Sequence, residues 1–155
     1  MRLVIQRVTQ AAVRSEGRTL GAIQQGAVVL VGVATGDTPE LADRMADKIL
    51  GLRYFADAGG VANLSIDRVG GALLVVSQFT LTADLRRGRR PSFTGAAAPA
   101  LAEPLVDRFV ARLRAAGLRV ETGRFGAMMD LELVNDGPFT LILDSERDLR
   151  AGRVP

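Results

Sequence analysis

Two runs of apolar residues, rich in valine and leucine, constrain the fold of this chain more than any other feature. The first covers residues 27–33 and the second covers residues 72–76. Runs of this kind are typical of strands that lie in the middle of a sheet and are buried on both faces. The sequence therefore predicts a sheet with at least two buried central strands.

Two helices are predicted beside these strands. Residues 39–52 follow Thr38, which can cap a helix, and they place apolar side chains at helical spacing. Residues 99–116 repeat that spacing, and Gly117 is a suitable residue for the position just after a helix. Pro104 lies inside this second stretch and is expected to delay or kink its first turns.

Shorter apolar stretches bring the prediction to about eight strands. They are residues 1–12, 19–24, 53–56, 63–66, 118–121, 128–134 and 139–143. The pattern predicts an α+β domain in which a curved, barrel-like sheet is covered by the two helices. The chain has 155 residues, and we place this single domain at residues 1–144, with a polar C-terminal tail at residues 145–155.

The chain contains no histidine and no cysteine, and this excludes several classes of site. A Ser-His-Asp triad, a histidine base, a thiol nucleophile and a histidine-ligated metal cannot form. An enzyme of this composition must work with hydroxyls, carboxylates, main-chain N–H groups or its own substrate. No metal and no cofactor is predicted. No apolar run approaches the roughly 18 residues of a membrane span, and a secretory signal is missing, so we expect a cytoplasmic protein.

Residues 82–98 form a long polar loop that carries four arginines in five positions, Arg86, Arg87, Arg89 and Arg90. Arginine suits planar contacts to phosphate, and a loop of this length in a compact domain is often functional. Two interpretations stay open. The loop is either a solvated charged segment or a binding site for the phosphates of a nucleic acid or nucleotide.

The segment Asn135-Asp136-Gly137-Pro138 lies between two apolar stretches and consists of turn-favouring residues. It is either a hairpin turn or a rigid loop that presents bare main chain to a ligand. Arg7, which interrupts an apolar strand face, also has two interpretations. It is either a charge at a strand edge or a buried anchor for another main-chain segment.

The segment Ser77-Gln78-Phe79-Thr80 stands where a buried strand gives way to the arginine-rich loop. Strand ends that lead into long loops are common places for functional sites. The hydroxyls, the amide and the main-chain N–H groups could bind a substrate carbonyl. Because no histidine can activate it, Thr80 alone would be a weak nucleophile. The segment could also be an ordinary polar strand end.

Two motifs that lie far apart along the chain carry a resemblance to a known family. The first is Ser77-Gln78-Phe79-Thr80-Leu81 with Ala83-Asp84 and Arg90-Pro91-Ser92-Phe93. The second is Thr122-Gly123-Arg124-Phe125-Gly126 with Met129 and Leu133-Val134-Asn135-Asp136-Gly137-Pro138. On these motifs the chain resembles the D-aminoacyl-tRNA deacylase family, in register from residue 1 to about residue 143.

The resemblance implies a homodimer that hydrolyses the ester bond of D-aminoacyl-tRNA, and of glycine mischarged to tRNA(Ala), in translation quality control. It implies that the peptide bond between Gly137 and Pro138 is cis, and that this pair enters the pocket of the partner subunit. Two main-chain carbonyls of the pair would then exclude an L side chain. Arg7 would hold this loop in its orientation.

The resemblance also assigns the pocket itself. Its floor would hold the ester carbonyl of the substrate and would consist of Ser77, Gln78, Phe79 and Thr80. The terminal 2′-OH of the tRNA would assist hydrolysis. Thr80 would position the ester and would not attack it. The part of the pocket that holds the substrate and its terminal adenosine would be lined by Phe125, Met129 and Asn135. Phosphates of the tRNA would be bound by Arg86, Arg87, Arg89 and Arg90.

Three residues depart from the family pattern, and two of them, Pro104 and Met128, stand at positions that we interpret as structural. Phe139 stands where the family usually has valine, and its larger ring is expected to alter the packing behind the loop. Three further functions stay open for the chain. A related branch of the family acts on misacylated L-alanyl-tRNA and has a trans Gly–Pro pair. The second is a non-catalytic RNA-binding module that uses the arginine-rich loop, and the third is a small-molecule esterase with Thr80 as its nucleophile.

Overall fold

The structure is a computed structural model that describes residues 1–86 and 88–149. Its strands are β1 (Arg2–Ser15), β2 (Arg18–Ile23), β3 (Gly26–Gly32), β4 (Phe55–Ala56), β5 (Ala62–Leu64), β6 (Ala72–Ser77), β7 (Val120–Thr122) and β8 (Asp130–Asp144). Its helices are α1 (Pro39–Gly51), α2 (Pro99–Ala115) and α3 (Ser145–Asp148), with a 3-10 helix at Phe79–Thr82.

The long strand β1 organises a nearly closed, barrel-like sheet. One edge of β1 pairs antiparallel with β8, and the other edge pairs with β3 and then with β2. The sheet continues with β6, which runs parallel to β3, and with β7, which runs parallel to β6. The strands β4 and β5 form a separate two-stranded ribbon. The predicted α+β class and barrel-like core are confirmed.

The two central strands contribute to two hydrophobic clusters in alternation. Val29 and Leu73 belong to the cluster that also contains the buried side chains of α1 and α2. Val28 and Leu74 belong to a second cluster, which is formed by strands alone. Successive side chains of a strand point to opposite faces, so both faces of β3 and β6 are covered. This is the burial that their apolar runs predict.

Both long helices form close to their predicted bounds. The hydroxyl of Thr38 accepts a hydrogen bond from the main-chain N–H of Leu41 and caps α1. The helix α2 begins at Pro99, so the expectation that Pro104 delays it is wrong. Pro104 lies within the first two turns, where its missing N–H removes a single helical bond. In the described part of the chain no helix is long and apolar enough to cross a membrane.

The stretches predicted as separate strands at residues 128–134 and 139–143 form the single strand β8. Val134 lies opposite Gln10 and Thr140 lies opposite Gln6, so both halves run in the same direction along β1. The hairpin interpretation is therefore wrong, because a hairpin would reverse the chain. Residues 136–139 instead bulge out of the ladder opposite Arg7.

The predicted C-terminal tail begins with the short helix α3. Ser145 is buried, and its main-chain N–H donates to the carbonyl of Met1 over 3.0 Å. The first residue of α3 is therefore held against Met1, and the domain boundary at residue 144 stays a prediction. Residues 150–155 of the predicted tail lie outside the described residues.

Candidate functional site

The segment Ser77–Thr80 leaves the end of β6 and turns at once into the 3-10 helix. The main-chain N–H of Gln78 donates to the carbonyl of Val31 on β3 over 2.8 Å. The side-chain amide of Gln78 donates to the hydroxyl of Thr80. These two bonds fix both ends of the turn, so the sheet sets the direction of the main-chain groups in between.

Two adjacent main-chain N–H groups, those of Phe79 and Thr80, stand at the start of this 3-10 helix. Among the described residues, the N–H groups of Phe79 and Thr80 donate to no main-chain or side-chain acceptor. The first N–H groups of a helix lack partners within the helix. Phe79 is 57% exposed, so solvent reaches this end of the strand. A pair of donors arranged in this way can stabilise the oxyanion of an acyl-transfer reaction.

Gly32 allows this turn to lie against β3. A Cβ atom on Gly32 would lie 2.8 Å from the Cβ of Leu81 and 3.1 Å from the carbonyl oxygen of Gln78. The supporting role of Gly32 was not predicted from the sequence. A glycine that interrupts a β-branched run is the signal that could have indicated it, because such a glycine often marks a close approach of another main chain.

The structure brings Ser77 and Phe125 together. Both line a cavity of about 210 Å³, together with side chains of α2 that include Asp107 and Arg114. Met129 lies in the neighbouring turn, where its sulfur accepts a hydrogen bond from the main-chain N–H of Arg124 over 3.3 Å. Phe125 therefore lies beside the segment that ends β6, and Met129 lies next to the turn that carries Phe125.

The arginine-rich loop has more order than its sequence indicates. Asp84 and Ser92 exchange main-chain hydrogen bonds of 2.8 and 3.0 Å, which close the loop at its base. The guanidinium of Arg86 donates to both carboxylate oxygens of Asp84 and lowers the pKa of that carboxyl to about 2. Arg86 is therefore neutralised by a partner that stays ionised at neutral pH.

Two further exposed charges of this loop lie at its tip. Arg89 and Arg90 are exposed, whereas Arg87 lies outside the described residues. Behind them the ring of Phe93 packs edge-on against the ring of Phe79, with 5.0 Å between the ring centres. The cationic tip and the segment that ends β6 are therefore joined by an aromatic contact.

Arg7 lies opposite the bulge of β8 and contacts it closely. Its Nη1 donates to the carbonyl of Tyr54 over 2.6 Å. Its Nε lies 3.0 Å from a carboxylate oxygen of Asp136 and forms an ion pair with it. The N–H group of this Nε makes no hydrogen bond among the described residues. Its guanidinium carbon lies 4.6 Å from the ring centre of Phe139. With 13% of its side chain exposed, Arg7 is a buried anchor and not a charge at a strand edge.

Asn135 closes the bulge. Its side-chain oxygen accepts a hydrogen bond from the N–H of Phe139 over 2.9 Å, and its amide donates to the hydroxyl of Thr140 over 3.3 Å. Between them the peptide bond from Gly137 to Pro138 is cis. Within the chain Asn135 does not join Phe125 in the cavity, because its side chain spans the bulge.

The bulge and the Ser77–Thr80 segment do not meet within one chain. Arg7 lies opposite the bulge and pairs with Ala27, which pairs with Leu73, and Ser77 lies four residues further along β6. Three strand spacings of about 4.8 Å and four residues of about 3.3 Å each place the two segments roughly 15–20 Å apart. Within one chain the two segments therefore do not form a common site.

Replacing Gly137 with alanine is expected to destabilise the fold by about 1–3 kcal/mol. The φ angle of Gly137 is +121°, which L residues rarely adopt, and a Cβ atom there would lie 2.9 Å from Nη2 of Arg7. Thermal unfolding measures the loss. Gly36→Ala is the matched control, because Gly36 has a φ angle of +91° but open space around its Cβ position. A loss no larger than that of the control would contradict the predicted clash with Arg7.

Sequence comparisons match nearly the whole chain to one group of proteins. The sequence model described as D-Tyr-tRNA(Tyr) deacylase matches residues 4–144. The D-aminoacyl-tRNA deacylase of Desulfatibacillum aliphaticivorans is 56% identical, over 94% of this chain and 100% of that protein. The D-aminoacyl-tRNA deacylase of Chloroflexus aurantiacus is 57% identical, over 94% of this chain and 91% of that protein.

Two solved structures share the architecture. The c-Myc DNA unwinding element binding protein is 38% identical, with a TM-score of 0.88 over 94% of this chain and 99% of that chain. A probable eukaryotic D-amino acid tRNA deacylase is 20% identical, with a TM-score of 0.80 over 92% of this chain and 97% of that chain. At that identity the second match shows the fold alone, which is the same barrel-like sheet with its helices.

Proposed function

The chain belongs to the D-Tyr-tRNA(Tyr) deacylase family, and on this premise we propose that it hydrolyses the ester bond of D-aminoacyl-tRNA. The products are free tRNA and the D-amino acid. The observation that carries the proposal is the pair of N–H donors of Phe79 and Thr80, fixed at an exposed strand end in a chain without histidine or cysteine. We propose glycine mischarged to tRNA(Ala) as a second substrate.

The proposed chemistry uses the main chain and the substrate. The N–H groups of Phe79 and Thr80 bind the ester carbonyl oxygen and stabilise the negative charge that it gains in the tetrahedral intermediate. The hydroxyl of Thr80 accepts a hydrogen bond from Gln78, and it positions the ester rather than attacking it. The terminal 2′-OH of the tRNA supplies the help in proton transfer that a histidine would otherwise give. The cavity between Ser77 and Phe125 holds the terminal adenosine, with Met129 beside it.

We propose that the active form is a homodimer in which Gly137 and Pro138 enter the pocket of the partner subunit. One observation that supports the dimer is that Gly137 and Pro138 lie too far from the Ser77–Thr80 segment of the same chain to share a pocket with it. Support also comes from β8, which pairs on one edge with β1 and, in the described part of the chain, with no strand on its other edge. Val134 and Ile142 of this strand are 47% and 56% exposed. A long exposed edge strand offers a surface on which a second chain can dock.

In the dimer the Gly137–Pro138 pair would select the substrate by exclusion. Its main-chain carbonyls face the Cα atom of the bound amino acid. An L side chain would clash with them, whereas a D side chain points away and glycine has none. Discrimination by a clash against the wrong substrate needs no favourable contact with the right one.

Turnover of D-tyrosyl-tRNA by the purified protein tests the proposed activity. Free tRNA and D-tyrosine should appear faster than by spontaneous hydrolysis, and sedimentation should give twice the mass of the chain. Salt-sensitive RNA binding without turnover would instead favour a non-catalytic RNA-binding module. An acyl-enzyme trapped on Thr80 would favour a small-molecule esterase. A catalytically active monomer would contradict the cross-subunit site while leaving the hydrolysis in place.

Replacing Arg89 and Arg90 with alanine is expected to weaken tRNA binding and to lower its salt dependence. Both arginines are exposed at the loop tip. Arg86 is exposed as well, but its charge is paired with Asp84. The slope of log K against log salt should fall by about 1 for each phosphate that the variant no longer binds. Hydrolysis at saturating tRNA should stay measurable. Arg68→Ala, at another exposed arginine, is the control, and an equal effect there would contradict a specific role for the loop.

A further inference from the structure

Three side chains from three parts of the chain stack behind the Gly137–Pro138 pair. They are Arg7 of β1, Tyr54 from the segment before β4, and Phe139 of β8. The rings of Tyr54 and Phe139 are stacked, with 6.5 Å between their centres and 27° between their planes. The guanidinium of Arg7 lies over the Phe139 ring at 4.6 Å and donates to the main-chain carbonyl of Tyr54 over 2.6 Å.

This stack is linked to both sides of the Gly137–Pro138 pair. On one side, Asp136 forms an ion pair with Nε of Arg7 at 3.0 Å. On the other side, Phe139 directly follows the pair, and its N–H is held by Asn135 over 2.9 Å. The position of the Arg7 guanidinium is therefore transmitted to the two residues that flank the pair.

The aromatic ring of Phe139 supplies an interaction that an aliphatic side chain at this position cannot supply. A guanidinium is attracted to the face of an aromatic ring, and the attraction is larger where the cation is removed from water. Arg7 is such a cation, because only 13% of its side chain is exposed. Its Nε has no hydrogen-bond acceptor among residues 1–86 and 88–149, so the ring and the charge of Asp136 compensate for its burial.

We infer that Tyr54 and Phe139 are positioning residues for the selection of the D substrate. They hold the guanidinium of Arg7 in one place, and Arg7 in turn fixes the direction in which Gly137 and Pro138 present their carbonyl oxygens. The inference rests on the proposed function, because it takes the exclusion of L substrates by this pair as given. It adds two residues that act through Arg7 and do not touch the substrate.

The test compares kcat/KM for D-tyrosyl-tRNA and L-tyrosyl-tRNA in variants of Phe139. Phe139→Ala is expected to lower the D-to-L ratio roughly tenfold, since a desolvated cation–π contact is of that size. Phe139→Leu should act in the same direction if the alanine variant does not fold. Phe139→Tyr keeps the ring and should keep the ratio. Leu113→Ala is the control for reduced stability alone, because Leu113 is a fully buried residue of α2, and it should lower the unfolding temperature without changing the ratio.

Variants of Tyr54 provide a second test of the same inference. Tyr54→Leu removes the stacked ring and should lower the ratio, whereas Tyr54→Phe should match the wild type. The reason is that Arg7 binds the main-chain carbonyl of Tyr54, while the phenol hydroxyl is buried without a partner in the described residues. If the wild type discriminates and Phe139→Ala leaves the ratio unchanged, this inference is overturned and the proposed function stands. A wild type that cleaves both esters equally would instead overturn the proposed function, and this inference with it.

Discussion

Replacing Phe79 with proline is expected to slow the hydrolysis of D-aminoacyl-tRNA by roughly 10²–10³-fold, because it removes one main-chain donor from the proposed oxyanion site. Phe79 is the first residue of the 3-10 helix, a position where the fixed φ angle of proline is tolerated. Gln78 before it has φ −146° and ψ 84°, outside the helical region that a following proline disfavours. The bond from the N–H of Gln78 to Val31 is retained. Single-turnover hydrolysis at saturating enzyme measures the effect.

Phe79→Ala is the matched control for this substitution. It removes the exposed ring and its contact with Phe93 but keeps the N–H group. Its effect on hydrolysis should stay within about tenfold, the size of one aromatic contact. If the alanine and proline variants slow hydrolysis equally, the ring carries the effect and the oxyanion assignment fails.

A D-tyrosyl-tRNA that ends in 2′-deoxyadenosine and carries the amino acid on its 3′-OH is expected to be hydrolysed roughly 10²–10⁴-fold more slowly. The chain has no histidine or cysteine to transfer a proton. The hydroxyl of Thr80 accepts a hydrogen bond from an uncharged amide, which cannot act as its base. Loss of the 2′-OH therefore removes the group that we propose assists the attacking water.

Thr80→Val provides the comparison, because it keeps the shape of the side chain and removes the hydroxyl. Hydrolysis by this variant should stay within roughly tenfold of the wild type, in line with the loss of one hydrogen bond. Binding of the 2′-deoxy tRNA, measured with a non-hydrolysable ester, should match that of normal tRNA. Equal hydrolysis of the two tRNAs would contradict assistance by the 2′-OH.

The central strands and the long helices could be predicted from the sequence because local patterns determine them. The β-branched run in β3 has covered faces on both sides, so its apolar pattern has no interruption except Gly32. The helix α1 has a cap at Thr38 and a proline at its first position. The course of β8 could not be predicted in the same way. A bulge and a hairpin use the same turn residues, and only pairing with β1, more than a hundred residues away, distinguishes them.

The candidate site also has some features that local sequence patterns predict and others that they do not. The change from apolar to polar residues at Ser77 located the end of β6, and the two motifs supplied the family. Arg7 remained ambiguous because its burial depends on the bulge that lies opposite it in β8. The places of Asn135 and Tyr54 follow from tertiary contacts, and no local pattern indicates such contacts.

Hydrolysis of D-tyrosyl-tRNA and L-tyrosyl-tRNA by the purified protein, measured side by side, tests the central claim most directly. The Gly137–Pro138 pair is proposed to exclude L side chains from a pocket that otherwise accepts any amino acid ester. The protein is therefore expected to deacylate the D-tyrosyl ester and to leave the L-tyrosyl ester at its spontaneous rate of hydrolysis. Equal rates on both esters, or no cleavage of the D ester, would contradict the claim.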